Sequence, residues 1–341
     1  MNLDYMSTTK ISDTRPTQAL ALSGGGVRGI MSVIILAEVE RRVGAKSAEI
    51  FDLITGTSVG SLLAAGLSLK DRLDPTKPRY GAQDLVPIAE EKLIRAFSNT
   101  YLNEVETGDG LWHSKYKPTG LNQGIKEIFD HTLASDLLGE YYYPATNEDD
   151  LTQTFGFTGQ QARQNADWKN LRVKDILRAT TAAPTYFPPH SVKLDKTYHL
   201  IDGGVVENNP APRAYALAKQ IFNCQDNLTV LSIGTGTSQF VIHGDDGWGA
   251  IQWSTKLINT LSSGQEAVAH SLTDSLLNFP GQEQRGFIVQ LKVSEEHKEL
   301  DDVSPANIKY LEETAKSWLD DEHNNEFLER LSHRLKLKDI K

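Results

Sequence analysis

The sequence predicts a mixed α/β domain built on a parallel sheet, and three observations carry that prediction. Short apolar runs of strand type alternate with helical ones, two strand-loop-helix units follow one another near the start, and glycine-rich turns join them. Ala19–Leu22 reads as a buried strand, followed by the glycine loop Gly24–Gly29 and a helical run from about Arg28 to Val43. Phe51–Ile54 repeats the scheme, with a turn at Gly56–Gly60 and a helix through Leu62 to Leu67. Charge and proline mark Lys70–Tyr80 as a loop, before a helix near Leu85–Phe97. After an irregular stretch from Gly108 to Gly120, the spacing of Ile125, Ile128, Phe129 and Leu133 predicts a helix over Leu121–Leu133.

Tyr141–Asp167 has no such periodicity and is rich in Gln, Asn and Thr; it reads as a cap or lid. Val173–Thr180 is a helix that must end before the prolines at 184, 188 and 189. Tyr198–Ile201 is a strand that delivers Asp202 to a turn, and Asn209-Pro210 opens a helix reaching Ile221. Leu228–Ile233 is the clearest strand; Trp248–Leu277 reads as one or two amphipathic helices, Phe287–Val293 as a strand and Pro305–Leu335 as two closing helices. One domain over residues 18–341, preceded by a flexible arm over 1–17, is the simplest account.

Composition narrows the function classes. Hydrophobic content of 39% and charged content of 23% fit a globular chain with a large core, while a net charge of −10 argues against a broad nucleic-acid surface. Cys224 is the only cysteine, so no internal disulfide forms. The first twenty residues lack the apolar stretch of a signal peptide, and no apolar run reaches the eighteen or so residues of a spanning helix. The expectation is a cytoplasmic protein whose membrane contact, if any, is local.

Three short motifs carry chemistry. Gly56-Thr57-Ser58-Val59-Gly60 has the G-x-S-x-G form that sets a serine on a sharp strand-to-helix turn, and the flanking runs supply strand and helix. Ser58 is the candidate nucleophile, which requires a base. Asp202, ahead of Gly203 and Gly204, is the candidate base, and burial would raise its basicity. The loop Gly24–Gly29 offers the N–H groups of Gly25 and Gly26 to a developing oxyanion at a helix start, with Arg28 either fixing the loop or meeting a lipid phosphate. The same loop also satisfies G-x-G-x-x-G, with Glu49 about twenty residues on, as a dinucleotide site would. Against that reading, Glu49 precedes the second strand rather than ending it. A histidine relay would use His243 or His270, but neither has a catalytic setting, so a Ser-Asp dyad is favoured. No metal-ligand spacing and no cofactor motif beyond that loop is evident.

These motifs, together with Ala179–Pro189 ahead of Asp202, resemble the signatures of patatin-like phospholipases, in order and over Leu20 to Pro210. The resemblance implies a three-layer α/β/α fold around a mostly parallel sheet. It implies a lipid acyl hydrolase with a Ser58-Asp202 dyad, an oxyanion hole from Gly24, Gly25 and Gly26, and Arg28, Gly56, Gly60, Gly203 and Gly204 in support. Its substrate would be a phospholipid or related acyl lipid, met through transient membrane contact and without a cofactor. Some members are bacterial defence enzymes switched on by a cyclic oligonucleotide, so a small-molecule activator is a second expectation. Two departures stand out: the missing strand pattern over 141–167, and Glu207 where a small or apolar residue is usual. Trp248, Ile251, Leu257, Ile258 and Leu261 are one candidate membrane patch, with Trp253 on a neighbouring face, although such a stripe reads first as core-facing.

Overall fold

Strand residues that alternate between two apolar environments demand helices on both sides, and the first strand already does so. In β1 (Thr17–Leu22), Leu20 and Leu22 pack into a large core while Ala19 and Ala21 pack into a second, smaller one. The computed structural model describes residues 16–98, 114–224, 227–238 and 257–336. Residues 1–15 of the expected arm, His243, and Trp248, Ile251 and Trp253 of the candidate patch lie outside them, whereas Thr17, expected at the end of that arm, is buried and opens β1 because it pairs with Leu228 of β7.

The chain continues through α1 (Gly29–Val43), α2 (Ser47–Ile50), β2 (Leu53–Gly56), α3 (Val59–Leu67), α4 (Ala82–Ser98) and α5 (Thr119–Phe129). It then forms β3 (Glu140–Asn147), β4 (Phe155–Thr158), α6 (Gly159–Gln164), α7 (Val173–Thr180), β5 (His190–Lys193) and β6 (Thr197–Asp202). The last elements are α8 (Ala211–Phe222), β7 (Leu228–Ile233), α9 (Leu257–Leu277), β8 (Gly286–Val289), α10 (Pro305–Asp320) and α11 (Glu322–Lys336). The strands make one sheet in the order β5-β6-β3-β2-β1-β7-β8, with β4 also on β3. From β3 through β8 every pairing along that order is parallel; β4, β5 and β6 are antiparallel additions. The large core lies under α1, α3, α4 and α5, and the small one under the alanine-rich face of α8 (Ala211, Ala214, Ala218). This is the expected three-layer α/β/α architecture.

Two expectations are corrected. Tyr141–Asp167 is no lid: β3 is a central strand, with Tyr141 to Asn147 all buried, and β4 pairs along it. Burial on both faces removes the alternation that marks a strand. The stripe of α9 is also not core-facing at Leu257 and Leu261, which are 45% and 49% exposed. Glu266, Ala269, Thr273 and Leu277 face inward instead, so this helix is apolar on two sides and its pattern does not say which is buried.

Candidate active site

Register brings Ser58 and Asp202 together. β2 pairs with the first half of β3, ending at Thr55↔Tyr142, whereas β6 runs back along the second half and ends at Ala145↔Asp202. Two strands of opposite direction therefore release their C-terminal ends toward the same short stretch of β3. Thr180 of α7 locks this junction, its Oγ1 donating to Pro144 O at 2.6 Å and accepting from the Ser58 N–H at 3.4 Å. The Thr146 hydroxyl donates to Asp202 O, and Asp202 N–H donates to Ala182 O, so the segment Ala179–Pro189 clamps both turns.

Ser58 has φ 54° and ψ −122°, a conformation rare for a residue with a Cβ, and α3 starts directly behind it. The turn closes only because glycines flank it: a Cβ on Gly60 would stand 2.2 Å from Leu22 O. Asp202 is 4% exposed; its Oδ1 accepts the Gly204 N–H at 2.7 Å, and its Oδ2 accepts no hydrogen bond from the described residues. Burial pushes its pKa up from 3.8 to about 6, with the Ser58 hydroxyl and the Gly204 N–H pulling the other way. The Ser58 hydroxyl is thus among the groups that act on the Asp202 carboxylate.

The glycine loop faces the same cavity, about 310 Å³ in volume, which Ser58, Asp202 and Arg28 also line. Gly26 has φ +56°, and a Cβ there would meet Leu300 O at 2.0 Å. The Gly24 N–H is taken by Asn208 O at 3.0 Å, which removes Gly24 from the candidate oxyanion donors; its carbonyl accepts the Thr235 hydroxyl. The donors that remain are the N–H groups of Gly25 and Gly26, for which no acceptor occurs among the described residues. Arg28 is half-buried with no hydrogen-bond partner for its Nε among the described residues, and desolvation lowers its pKa to about 10 against the opposing pull of Glu266, Tyr186 and Glu299.

Glu266 was not singled out by sequence. It lies on the buried face of α9, lines the cavity, and accepts on Oε1 from Ser23 Oγ at 3.1 Å and Asn209 Nδ2 at 2.9 Å. His270 Nε2 is 3.0 Å from the same oxygen without hydrogen-bond alignment, and His270 does not line the cavity. The signal for Glu266 was a lone carboxylate on a core-facing helical stripe. Glu207, the departure noted above, is neutralised locally: Tyr142 OH donates to it at 2.8 Å and Arg213 Nε lies 3.2 Å away. Glu49 caps α2 and pairs with Lys77 before β2 begins, at the end of the sheet remote from the glycine loop. The loop therefore lacks the acidic partner that a dinucleotide site requires.

Fold and motifs together define an α/β protein in which the glycine loop and the serine turn follow the parallel strands β1 and β2, and the Asp202 turn follows the antiparallel strand β6. The model of the Patatin-like phospholipase family matches residues 20–215, and the chain belongs to that family. It is 34% identical over 266 residues to the "cGAMP-activated phospholipase" of Pseudomonas aeruginosa (strain BWHPSA011 / Pa011), covering 76% of this chain and 75% of that protein. "Patatin-like protein 1" of Arabidopsis thaliana is 31% identical over 271 residues, covering 69% of this chain but 63% of the plant protein. The chain spans 49% of "Patatin-like protein 4" from the same plant, so it accounts for about half to two thirds of these plant relatives. The solved human GIVD cytosolic phospholipase A2 aligns over 96% of this chain and 61% of its own at 11% identity, with a TM-score of 0.46.

Proposed function

We propose that this chain is a lipid acyl hydrolase that cleaves carboxylic esters of phospholipids through an acyl-Ser58 intermediate. The observation that carries the reading is a serine on a strained turn facing a buried, uncommitted carboxylate oxygen, beside two unused backbone donors in one cavity. Ser58 Oγ attacks the ester carbonyl as its proton passes to Asp202 Oδ2, and Gly25 and Gly26 N–H groups receive the oxyanion. The C–O bond breaks, and the alcohol leaves with that proton. Water then attacks the acyl-serine by the same route in reverse, releasing the fatty acid and restoring Ser58. A carboxyl with a pKa near 6 stays ionised at neutral pH while being a better base than an exposed aspartate. Arg28, a cation on the cavity wall, is placed to meet the substrate phosphate.

The lipid surface would meet α9. Leu257, Leu261, Val268, Leu272 and Leu276 are 37–59% exposed and fall within roughly 100° of the helical circumference. Leu257 and Leu261 also line the cavity, so the apolar stripe runs into its mouth. Among the described residues no helix is long and apolar enough to cross a membrane, which leaves interfacial contact as the mode in this reading.

The test is fatty-acid release from phosphatidylcholine vesicles by the native protein, Ser58→Ala and Asp202→Asn. Release by the native protein alone supports the dyad; equal release by all three refutes it. A second reading, favoured by the identity with the Pseudomonas protein, is that turnover requires a cyclic dinucleotide. Turnover that appears only on adding cGAMP supports it, and full turnover without any nucleotide rejects it.

A further inference from the structure

A second cavity lies beside the first. It is about 60 Å³ in volume, and Val59, Leu62, Leu93, Ala96 and Leu121 line both spaces and stand between them. Three helical stripes border the inner space. Val59, Leu62, Leu63 and Gly66 come from α3, and Leu121, Gly124, Ile125 and Ile128 from α5; each follows helical spacing away from the catalytic end. The third stripe runs back along α4 from Ala96 through Leu93 and Ala89 to Leu85. The lining is hydrocarbon throughout, because Lys92 contributes its stem while its Nζ pairs outside with Glu91 and Glu127.

We propose that this space receives the distal part of the substrate's acyl chain and sets the chain length the enzyme accepts; the proposal rests on the hydrolase reading above. Val59 directly follows Ser58 and lines both cavities, so a chain esterified to that serine starts against the wall that the two spaces share. From Ala96 to Leu85, α4 advances roughly 16 Å at 1.5 Å per residue. An extended chain advances about 1.2 Å per bond, as the span of a three-bond residue implies. The lining thus runs far enough for about a dozen carbons, but its free volume of about 60 Å³ admits only about two or three, since roughly 150 Å³ takes benzene; the space holds the tip of a long chain whose nearer carbons lie in the larger cavity, which a short acyl group does not reach.

Two glycines keep it open. At Gly66 a Cβ would stand 3.1 Å from Leu85 Cδ1, whereas at Gly124 it would touch nothing nearer than the Lys92 stem at 3.4 Å. Helix geometry and sterics thus both permit a larger residue at Gly124, and its absence leaves room at the far end. Filling that room is the test. With 4-nitrophenyl esters of C4, C8, C12 and C16 acids, Gly124→Phe should lose at least tenfold in kcat/KM on C16 while C4 stays within twofold. The C4 rate reports folding and catalysis, so unchanged chain-length profiles in an active variant overturn the proposal. Binding of cis-parinaric acid, followed by its fluorescence, tests the passage without turnover. Native protein should bind it and Gly124→Phe should bind at least tenfold more weakly; equal binding overturns the proposal. Absence of all ester turnover both with and without cGAMP, together with Gly124-dependent binding, would instead refute the hydrolase reading and keep the apolar-chain site.

Discussion

The cavity has two walls of opposite character. The polar wall, made by the glycine loop, the serine turn and Asp202, tolerates no added atom: Cβ groups on Gly26, Gly60 and Gly203 would meet backbone atoms at 2.0, 2.2 and 2.3 Å. The apolar wall of α3, α4 and α5 has spare volume and a glycine, Gly124, with room around it. Where charge develops, atoms must be fixed before the reaction begins, since reorganisation would forfeit the stabilisation. Where a hydrocarbon slides, shape need only be approximate, because the hydrophobic effect is not directional.

The contrast breaks first at the proposed dyad. Ser58→Ala and Asp202→Asn should each reduce ester turnover by roughly a thousandfold or more, as loss of a nucleophile or its base does elsewhere. Esterase kinetics on a short soluble ester check this without involving a lipid surface, and a fall of less than tenfold in either variant would remove that residue from the mechanism. Next comes Gly60→Ala, whose methyl would overlap Leu22 O. Neither backbone can retreat, because Thr57 N–H is bonded to the same Leu22 carbonyl. A loss of roughly 3 kcal/mol or more in denaturant unfolding is expected.

The same contrast explains what the sequence disclosed. Close approach of backbone and a left-handed turn demand glycine at set spacings, so Gly26, Gly60 and Gly203 mark the polar wall in the primary structure. β3 left no such trace. Tyr141 and Tyr143 stack at 4.8 Å on one face while Tyr142 reaches Glu207 on the other, and a strand buried on both sides loses its alternation. Glu266 is separated from Ser58 by over two hundred residues, and only the folded chain shows which cluster it joins. The direction of α9 was illegible because Val268 and Leu272 on one side are as apolar as Ala269 and Leu277 on the other.

Rigidity at the polar wall has a stability consequence with a definite sign. The folded pKa of Asp202, about 6, lies above its ordinary 3.8, so the folded state holds the proton more tightly than the unfolded state does. Stability from this group is full below pH 3.8, declines as pH rises through 6, and then levels off on the order of 3 kcal/mol lower. Asp202→Asn should therefore stabilise the protein at pH 8 by up to that amount and do nothing at pH 4, measured by urea unfolding at both. The same ionisation predicts that native kcat/KM falls tenfold per pH unit below about 6. A smaller effect is expected at Glu266→Gln. The amide oxygen retains the bonds from Ser23 and Asn209, but Arg28 loses a counter-charge, and roughly tenfold in kcat/KM on a phospholipid should go with it.

The smallest effect separates the two walls most cleanly. Gly124 lies inside α5, where glycine is less favourable than alanine by roughly 0.5–1 kcal/mol because it leaves the unfolded chain more freedom. Its new methyl would rest against the Lys92 stem at ordinary contact distance, with no backbone in the way. Gly124→Ala should thus raise stability by up to about 1 kcal/mol, whereas the same change at Gly60 lowers it severalfold more. Thermal unfolding of the two variants beside the native protein decides the matter. If Gly124→Ala were destabilising, the apolar wall would be as tightly packed as the polar one, and the distinction between a fixed wall and a yielding one would fall.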